Sequence, residues 1–520
     1  MNAAALSLGL KTAFKSIPGV AFITIPLILL SFTTGVFFRG TDSVLFWPHM
    51  VAMIGFAGLS LWPNFKAGWR LPKATVIVAL LLYWAYIWLS IIWSTVPYNS
   101  ILFALIFSVL PFMFLSYVCA PSPLRWLKIH GCALGAGIFA LALWGFVQFF
   151  ILEPGARVHH PMLNPNNLSV VFNMAFFPAL ALYLFAKEKR LLILGFILAL
   201  TFFAALLVTQ SRGGLIACYI SLLPFLLFVR GQAGFTLSRL VPFIVACVLI
   251  AVLVHVMSAG ILGKSLVAVV NPGGTEIATV TERKLIWTGT WNMIQDYFWT
   301  GTGLASFVYF YPRYRLFGDY SDGYFAHMDP LQFWAEMGVF APVLFYAVLV
   351  TILLRTIQAT RASEISSPYR LWMYGFFCGL LALAGHSHIS FHLYMPITLF
   401  LGSFLLAGWY LASEKILKDE RVEISFDESA FKNTARSAFI VALLLPTVWL
   451  SQAMAGVYYT NEVQRLMQER KLEEARLALD KAHMYGVSNY APIYDYEARY
   501  RLDLLGDPNK NLSREERLKL

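Results

Sequence analysis

Three residues of this chain, Arg212, Arg283 and His327, have the types and settings for group transfer. A guanidinium is planar, always charged and matched to two phosphate oxygens at once. Two of them brought together could grip a diphosphate and stabilise it as a leaving group without a metal. A histidine that stays neutral near physiological pH can take the proton of an attacking hydroxyl. His327 stands in Ala-His-Met-Asp-Pro-Leu-Gln, where Asp329 reads as an N-cap, Pro330 as the first helical residue and Gln332 as the reciprocal partner. The positive end of that helix disfavours imidazolium at position 327. Arg212 occupies the turn Gln-Ser-Arg-Gly-Gly, whose glycines would let backbone approach a ligand. Arg283 falls in the first turn of an expected helix, against the helix dipole, and such a placement invites a functional reason.

The elements that must position these residues are membrane spans. The chain has 520 residues, 59% of them hydrophobic and 13% charged, with a mean hydropathy of +0.67. That is the composition of a polytopic membrane protein. With about 20 apolar residues needed per crossing, about thirteen segments qualify: 19–38, 43–61, 75–93, 99–119, 130–151, 167–186, 190–208, 213–229, 238–257, 331–354, 369–389, 392–412 and 437–455. The first is preceded by Lys11 and Lys15 but is too long for a signal peptide and is read as a retained span. Lysine and arginine concentrate in alternate loops, among them Lys66, Arg70, Lys73, Arg125, Lys128, Arg239, Arg355 and Arg370. The other short loops carry only Arg39, Arg157 and Arg212. The bias puts the N-terminus in the cytoplasm. The turns at 159–167, at Arg212 and at 386–392, and a long loop at 258–330, then face outward.

This reading divides the chain into a nine-span bundle (1–257), the long outer loop (258–330), three further spans (331–412), a cytoplasmic linker (413–436), a thirteenth span (437–455) and an outer helical tail (456–520). Within the loop, Thr279-Val-Thr-Glu282 is a capping-box pattern opening a helix to about Phe298. Its stripe of Trp287, Trp291, Ile294 and Phe298 is expected along the membrane surface. In the tail, Ala475, Leu477, Leu479 and Ala482, then Tyr494, Tyr496, Ala498 and Leu502, suggest two or three short amphipathic helices resembling a tetratricopeptide-type pair.

Much of the net charge of +11 is this inside belt, so it does not argue for nucleic acid. Cys119, Cys132, Cys218, Cys247 and Cys378 lie in or beside spans without C-x-x-C spacing, which argues against a disulfide framework or a thiolate metal site. Asp319-Tyr-Ser-Asp322 reads as a solvated loop before a divalent-ion site, and no D-x-D occurs there. His386, His388 and His392 have the look of a zinc set, and a polar turn is the simpler reading.

The motifs, taken in order, resemble the O-antigen ligase and O-antigen polymerase superfamily. They are Asn164-Pro165-Asn166, Ser211-Arg212-Gly213-Gly214, Glu282-Arg283 with Trp287, Gly301-Thr302-Gly303-Leu304, and His327 leading into Leu331-Gln332 with Glu336 and Gly338. The resemblance covers roughly residues 160–410. It implies an all-α polytopic membrane protein, a GT-C-type bundle of about twelve spans, that moves a glycan from undecaprenyl diphosphate to an acceptor hydroxyl on the periplasmic face. It implies inversion and neither metal nor cofactor. Arg212 and Arg283 would grip the diphosphate and His327 would activate the acceptor. Arg313, Arg315, Asn166, Tyr324 and Asp329 are the expected substrate-binding residues. The acceptor would be lipid A-core, a growing glycan or a protein, in the bacterial inner membrane among its lipids and without nucleic acid. Met328 replaces a frequent asparagine, and His386-Ser-His-Ile-Ser390-Phe lacks the family's aspartate. A transporter of lipid-linked polysaccharide is the alternative from another class; it would need ionisable or broken helices in two matching halves, whereas His49 and Gln148 are the main polar residues in the spans.

Overall fold

The computed structural model describes residues 19–38, 43–232, 235–260, 275–362, 368–425, 429–486 and 490–506. Lys11, Lys15, Arg39, residues 261–274 of the long loop and the tail beyond 506 lie outside the described residues. The protein is an all-α polytopic membrane protein. Its long helices are α1 Gly19–Phe37, α2 Ser43–Leu61, α3 Thr75–Leu89, α4 Pro97–Val118, α5 Pro123–Val147, α6 Pro165–Phe185, α7 Lys189–Val208, α8 Arg212–Val229 and α9 Leu237–Met257. The loop contributes α10 Thr275–Asp296 and α11 Asp329–Met337, followed by α12 Phe340–Ala362, α13 Pro368–Ser387 and α14 Pro396–Leu417. The chain closes with α15 Ser429–Gln468, α16 Leu472–Tyr485 and α17 Ala491–Gly506. Ten helices among the described residues are long and apolar enough to cross a membrane.

A helix suits these stretches because hydrocarbon offers no partner for backbone N–H and C=O groups, which it satisfies internally. Interior prolines such as Pro111, Pro178 and Pro446 are tolerated for the same reason, since neighbouring helices re-satisfy the freed groups. α14 is the hub, buried along its whole apolar stretch, with Trp409 and Tyr410 sealed inside. α9 and α15 instead leave most of their apolar side chains outward.

The expected tenth span, 331–354, is corrected. Gly338, at φ +81°, breaks the chain there, and an added Cβ would meet Trp299 O at 2.0 Å. The span begins at Phe340, and α11 is a separate helix of the loop. Gln148 does not interrupt a span either: it opens the π-turn that follows α5 and exchanges hydrogen bonds with the His160 backbone at 2.8 and 3.2 Å.

The bundle has two differently built ends. The end away from the loop is clasped by β1 Trp69–Pro72 and β2 Arg421–Ile424, an antiparallel pair with Trp69 opposite Ile424 and Pro72 opposite Arg421. Residues 413–436 are therefore mostly ordered structure where a linker was expected. Arg421 grips both oxygens of Glu414 at 2.7 Å and donates to Val118 O at 2.9 Å. The other end gathers the long loop and the turns at 94–98, 153–164, 209–211 and 388–395. The tail joins this end too, as Tyr490 packs on Tyr98 with ring centroids 4.5 Å apart. Its first helix is the continuation of α15, and its core is Leu472, Ala475, Leu479, Ile493, Tyr500 and Leu504. Leu477, Tyr494 and Leu502, expected on the apolar face, are exposed.

Candidate active site at the loop end

The two turns that begin α6 and α8 are knitted into one. Asn164 caps α6, its Oδ1 accepting from Asn166 N–H at 2.9 Å. Ser211 caps α8, accepting from Gly214 N–H at 3.1 Å, while its hydroxyl donates to Asn166 Oδ1 at 2.7 Å. Asn173 Nδ2 donates to Gly214 O at 2.7 Å. Asn166 is thus a strut between helices, with its amide oxygen occupied. The glycines after Arg212 make room for protein rather than for a ligand. A Cβ at Gly213 would lie 2.7 Å from His386 Nε2, and one at Gly214 would lie 2.5 Å from Ser169 Oγ. Arg212 itself is half-buried in the first turn of α8, a cation set against the helix dipole.

α10 begins at Thr275, so the Thr279–Glu282 box lies within the helix and does not open it. Arg283 consequently sits in the third turn, where the dipole argument no longer applies. The stripe engages the loop's own core: Ile286 and Ile294 are sealed, Trp287 Nε1 donates to Ala326 O at 3.0 Å, and Trp291 meets Trp334 edge-on at 5.5 Å. Trp291 alone of the four keeps a largely exposed face, 42%. The Gly301–Gly303 turn docks on the C-terminal end of α11, with Thr302 N–H on Ala335 O and Gly303 N–H on Glu336 O at 3.2 and 2.7 Å.

Two buried carboxylates hold α11 in place. Glu336 accepts from Ala305 N–H at 2.8 Å, Gln332 Nε2 at 3.0 Å and the Tyr394 hydroxyl at 2.7 Å. Burial pushes its carboxyl up to about 7 despite these donors. Asp329 is not the N-cap; Met328 holds that position, and no side chain caps the helix. Its carboxylate reaches across the fold to Leu393 N–H at 2.9 Å, and burial holds its carboxyl well above the usual range. Gln332 Oε1 closes back on Ala326 N–H at 2.9 Å, one residue before His327.

His327 is half-buried with φ +54°, in the left-handed region that few side chains adopt. Its ring stands edge-on to Phe391 at 5.2 Å, and Phe391 stacks on Phe325 at 4.1 Å. Burial, then the Arg283 charge, lowers its imidazole to about 4, with Asp322 and Asp319 pulling the other way. The ring is neutral at physiological pH, as expected, but through burial and Arg283.

Arg157, Arg212 and Arg283 lie within electrostatic reach of one another. Burial, then Arg212 and Arg157, lowers the Arg283 guanidinium. Neither Arg212 nor Arg283 forms a hydrogen bond or ion pair among the described residues, whereas Arg157 Nε donates to Thr209 O at 3.2 Å, two residues before Ser211. Among the described residues these three cations meet without an ion pair to a carboxylate, Glu282 being the one whose charge acts on Arg283, and such an arrangement favours an anion. Sequence reasoning passed over Arg157 as a site residue; its one signal was a basic residue in a short loop on the face with few cations.

The remaining expected residues are placed less centrally. Arg315 pairs with Asp319 at 3.9 Å and lies over the Tyr311 ring, Tyr311 itself donating to Asp319 at 2.5 Å. Arg313 is exposed, and Tyr324 is 51% exposed with its N–H on Asp322 Oδ1. Asp319 and Asp322 are thus engaged by their own loop. The three histidines of the 386–392 turn do not converge: His388 faces Tyr346, hydroxyl to Nε2 at 2.9 Å, while His386 and His392 face each other. No group of three His, Cys, Asp or Glu among the described residues is placed to hold a metal ion.

Fold and site together define a multi-pass membrane protein with three arginines and a histidine gathered at the end where its long loop lies. Residues 194–346 match the family described as O-antigen ligase. The match runs from α7 through the long loop into α12 and contains Arg212, Arg283 and His327, in agreement with the resemblance drawn from the motifs. No curated protein matches the chain.

Proposed function

We propose that the chain is an inner-membrane glycosyltransferase that moves a glycan from undecaprenyl diphosphate to an acceptor hydroxyl on the periplasmic face, with inversion, as an O-antigen ligase. The observation that carries this reading is the cluster of Arg157, Arg212 and Arg283, without an ion pair to a carboxylate among the described residues, beside a histidine that burial keeps neutral. The arginines hold the donor diphosphate and stabilise it as it leaves. The acceptor oxygen attacks the anomeric carbon from the face opposite the diphosphate, and its proton passes to His327 Nδ1 or Nε2. Burial and the Arg283 charge make His327 a weak base. An anion on Arg283 offsets the charge that disfavours imidazolium, so donor binding itself raises the basicity of the ring.

The test is the glycolipid profile of a deletion strain complemented with wild type or His327→Ala, alongside its lipid-linked pool. Bare lipid A-core with long glycan left on the carrier supports the ligase. Core capped by a single repeat unit means a polymerase, and an unchanged profile with altered protein glycosylation means transfer to protein. Full complementation by His327→Ala would remove that residue from the mechanism.

A further inference from the structure

One polar pair at the loop end takes no part in this mechanism. His386, at the end of α13, and His392, in the turn before α14, are 1% and 0% exposed, with ring centroids 4.1 Å apart. His392 Nδ1 lies 3.1 Å from Asn167 Oδ1. An amide oxygen only accepts, so Nδ1 carries the proton and Nε2 of the neutral ring is a bare acceptor. That Nε2 and His386 Nδ1 are both buried without a hydrogen-bond partner among the described residues. Buried polar atoms are nearly always paired. Two unpaired nitrogens on adjoining rings therefore point to a group that is not part of the chain.

The position of the pair narrows what that group is. Both rings are within electrostatic reach of Arg283, and His392 also of His327. The Arg212 turn presses directly on His386 through Gly213. The pair thus borders the arginine cluster on the side of the histidine. Phosphate oxygens held by guanidinium groups have no proton to offer His392 Nε2. A sugar hydroxyl does, and it can also accept, so it suits His386 whichever ring nitrogen there carries the proton.

We propose that His386 and His392, oriented by Asn167, form a hydroxyl-binding subsite for the sugar attached to the donor diphosphate and so help set which glycan is accepted. This rests on the arginine cluster holding the donor diphosphate, and deepens that reading. The experiment measures binding of farnesyl diphosphate and of a farnesyl-diphosphoryl hexose to the purified full chain, with melting temperatures recorded for each variant. His392→Phe keeps the ring shape and removes the acceptor. It should weaken the hexose-bearing lipid about 10- to 100-fold, because a site built for a hydroxyl discriminates strongly when that bond is lost. Farnesyl diphosphate should bind that variant within about twofold of wild type, its contacts being with the arginines. Asn167→Ala, which leaves His392 in place but frees its ring, should show a smaller loss for the hexose lipid only. Equal weakening of both lipids, or no change in either, would overturn the subsite while leaving the diphosphate reading intact. Wild type that binds neither lipid would overturn both.

Discussion

Arginines at the two ends of the bundle share a chemistry and have opposite surroundings. Away from the loop, Arg421 is forked onto Glu414 and capped by Val118 O, and Arg355 pairs with Asp419, donates to Ser413 Oγ at 2.8 Å and covers the Tyr410 ring. At the loop end, Arg212 and Arg283 have neither ion pair nor hydrogen bond among the described residues, and they repel each other and Arg157. The first group is satisfied within the protein and holds helices together. The second is left in mutual repulsion, a state that an anionic ligand relieves. Paired cations here are architecture, and the unpaired ones are those the proposed function assigns to the donor.

Substitutions on the two sides should therefore fail in different ways. The largest effect on activity is expected for Arg283→Ala: transfer in proteoliposomes falls by about 10²–10³-fold with little change in melting temperature, as when one donor to a developing anion is lost. Arg421→Ala should do the reverse, costing about 3 kcal/mol of stability by stranding the buried Glu414 carboxylate while spared protein keeps its turnover. A melting loss at Arg283 as large as that at Arg421 would erase the distinction.

Next in size is packing at the Arg212 turn. Gly213→Ala places a methyl 2.7 Å from His386 Nε2 and should cost about 1–3 kcal/mol by overpacking, with transfer reduced because the Arg212 turn shifts. Wild-type melting behaviour would show that the turn yields freely.

Two pH responses sharpen the electrostatic side. The carboxyl of Glu336 is raised from 4.5 to about 7, so its contribution to stability is full below pH 4.5 and is lost as pH rises through 7. Against Glu336→Gln, the stability advantage of wild type should shrink across that window, read as the difference of two melting curves. His327 is lowered to about 4, so its contribution is present above pH 6.5 and lost as pH falls through 4. Arg283→Gln removes a neighbouring cation and should move the acid limb of residual kcat/KM upward; a limb that stays in place would dissociate His327 from Arg283. The smallest effect is expected for Arg313→Ala. The side chain is exposed and outside the arginine cluster, so transfer should change less than about threefold, as for surface substitutions generally. A loss comparable with Arg283→Ala would extend the site along the loop.

Some of this was legible in sequence because its physics is local. About 20 apolar residues in a row must be a buried or spanning helix, and the Thr209–Ser211 break between α7 and α8 fell where it was read. The start of α12 was not legible, since hydropathy runs on through α11 and only the docking of Gly338 against Trp299 shows the break. Asp329 was misread as a cap for a similar reason: its partner, Leu393, is 64 residues away. Trp291 and Trp287 share a stripe, yet one is exposed and one bonds across the loop.

By itself the sequence determined the membrane class, the position of most spans, the long loop and the identity of two arginines and a histidine suited to a diphosphate and a hydroxyl. Those follow from composition, from the length needed to cross hydrocarbon, and from residue chemistry, none of which depends on distant contacts. The tertiary structure alone decided that Arg157 joins Arg212 and Arg283, that Glu336 and Asp329 moor the histidine's helix, and that His386 and His392 come face to face. The first two join segments tens of residues or more apart, and the histidine pair, close in sequence, is oriented by Asn167, 225 residues from His392; a preference carried by neighbouring residues cannot encode which distant partner a side chain will find.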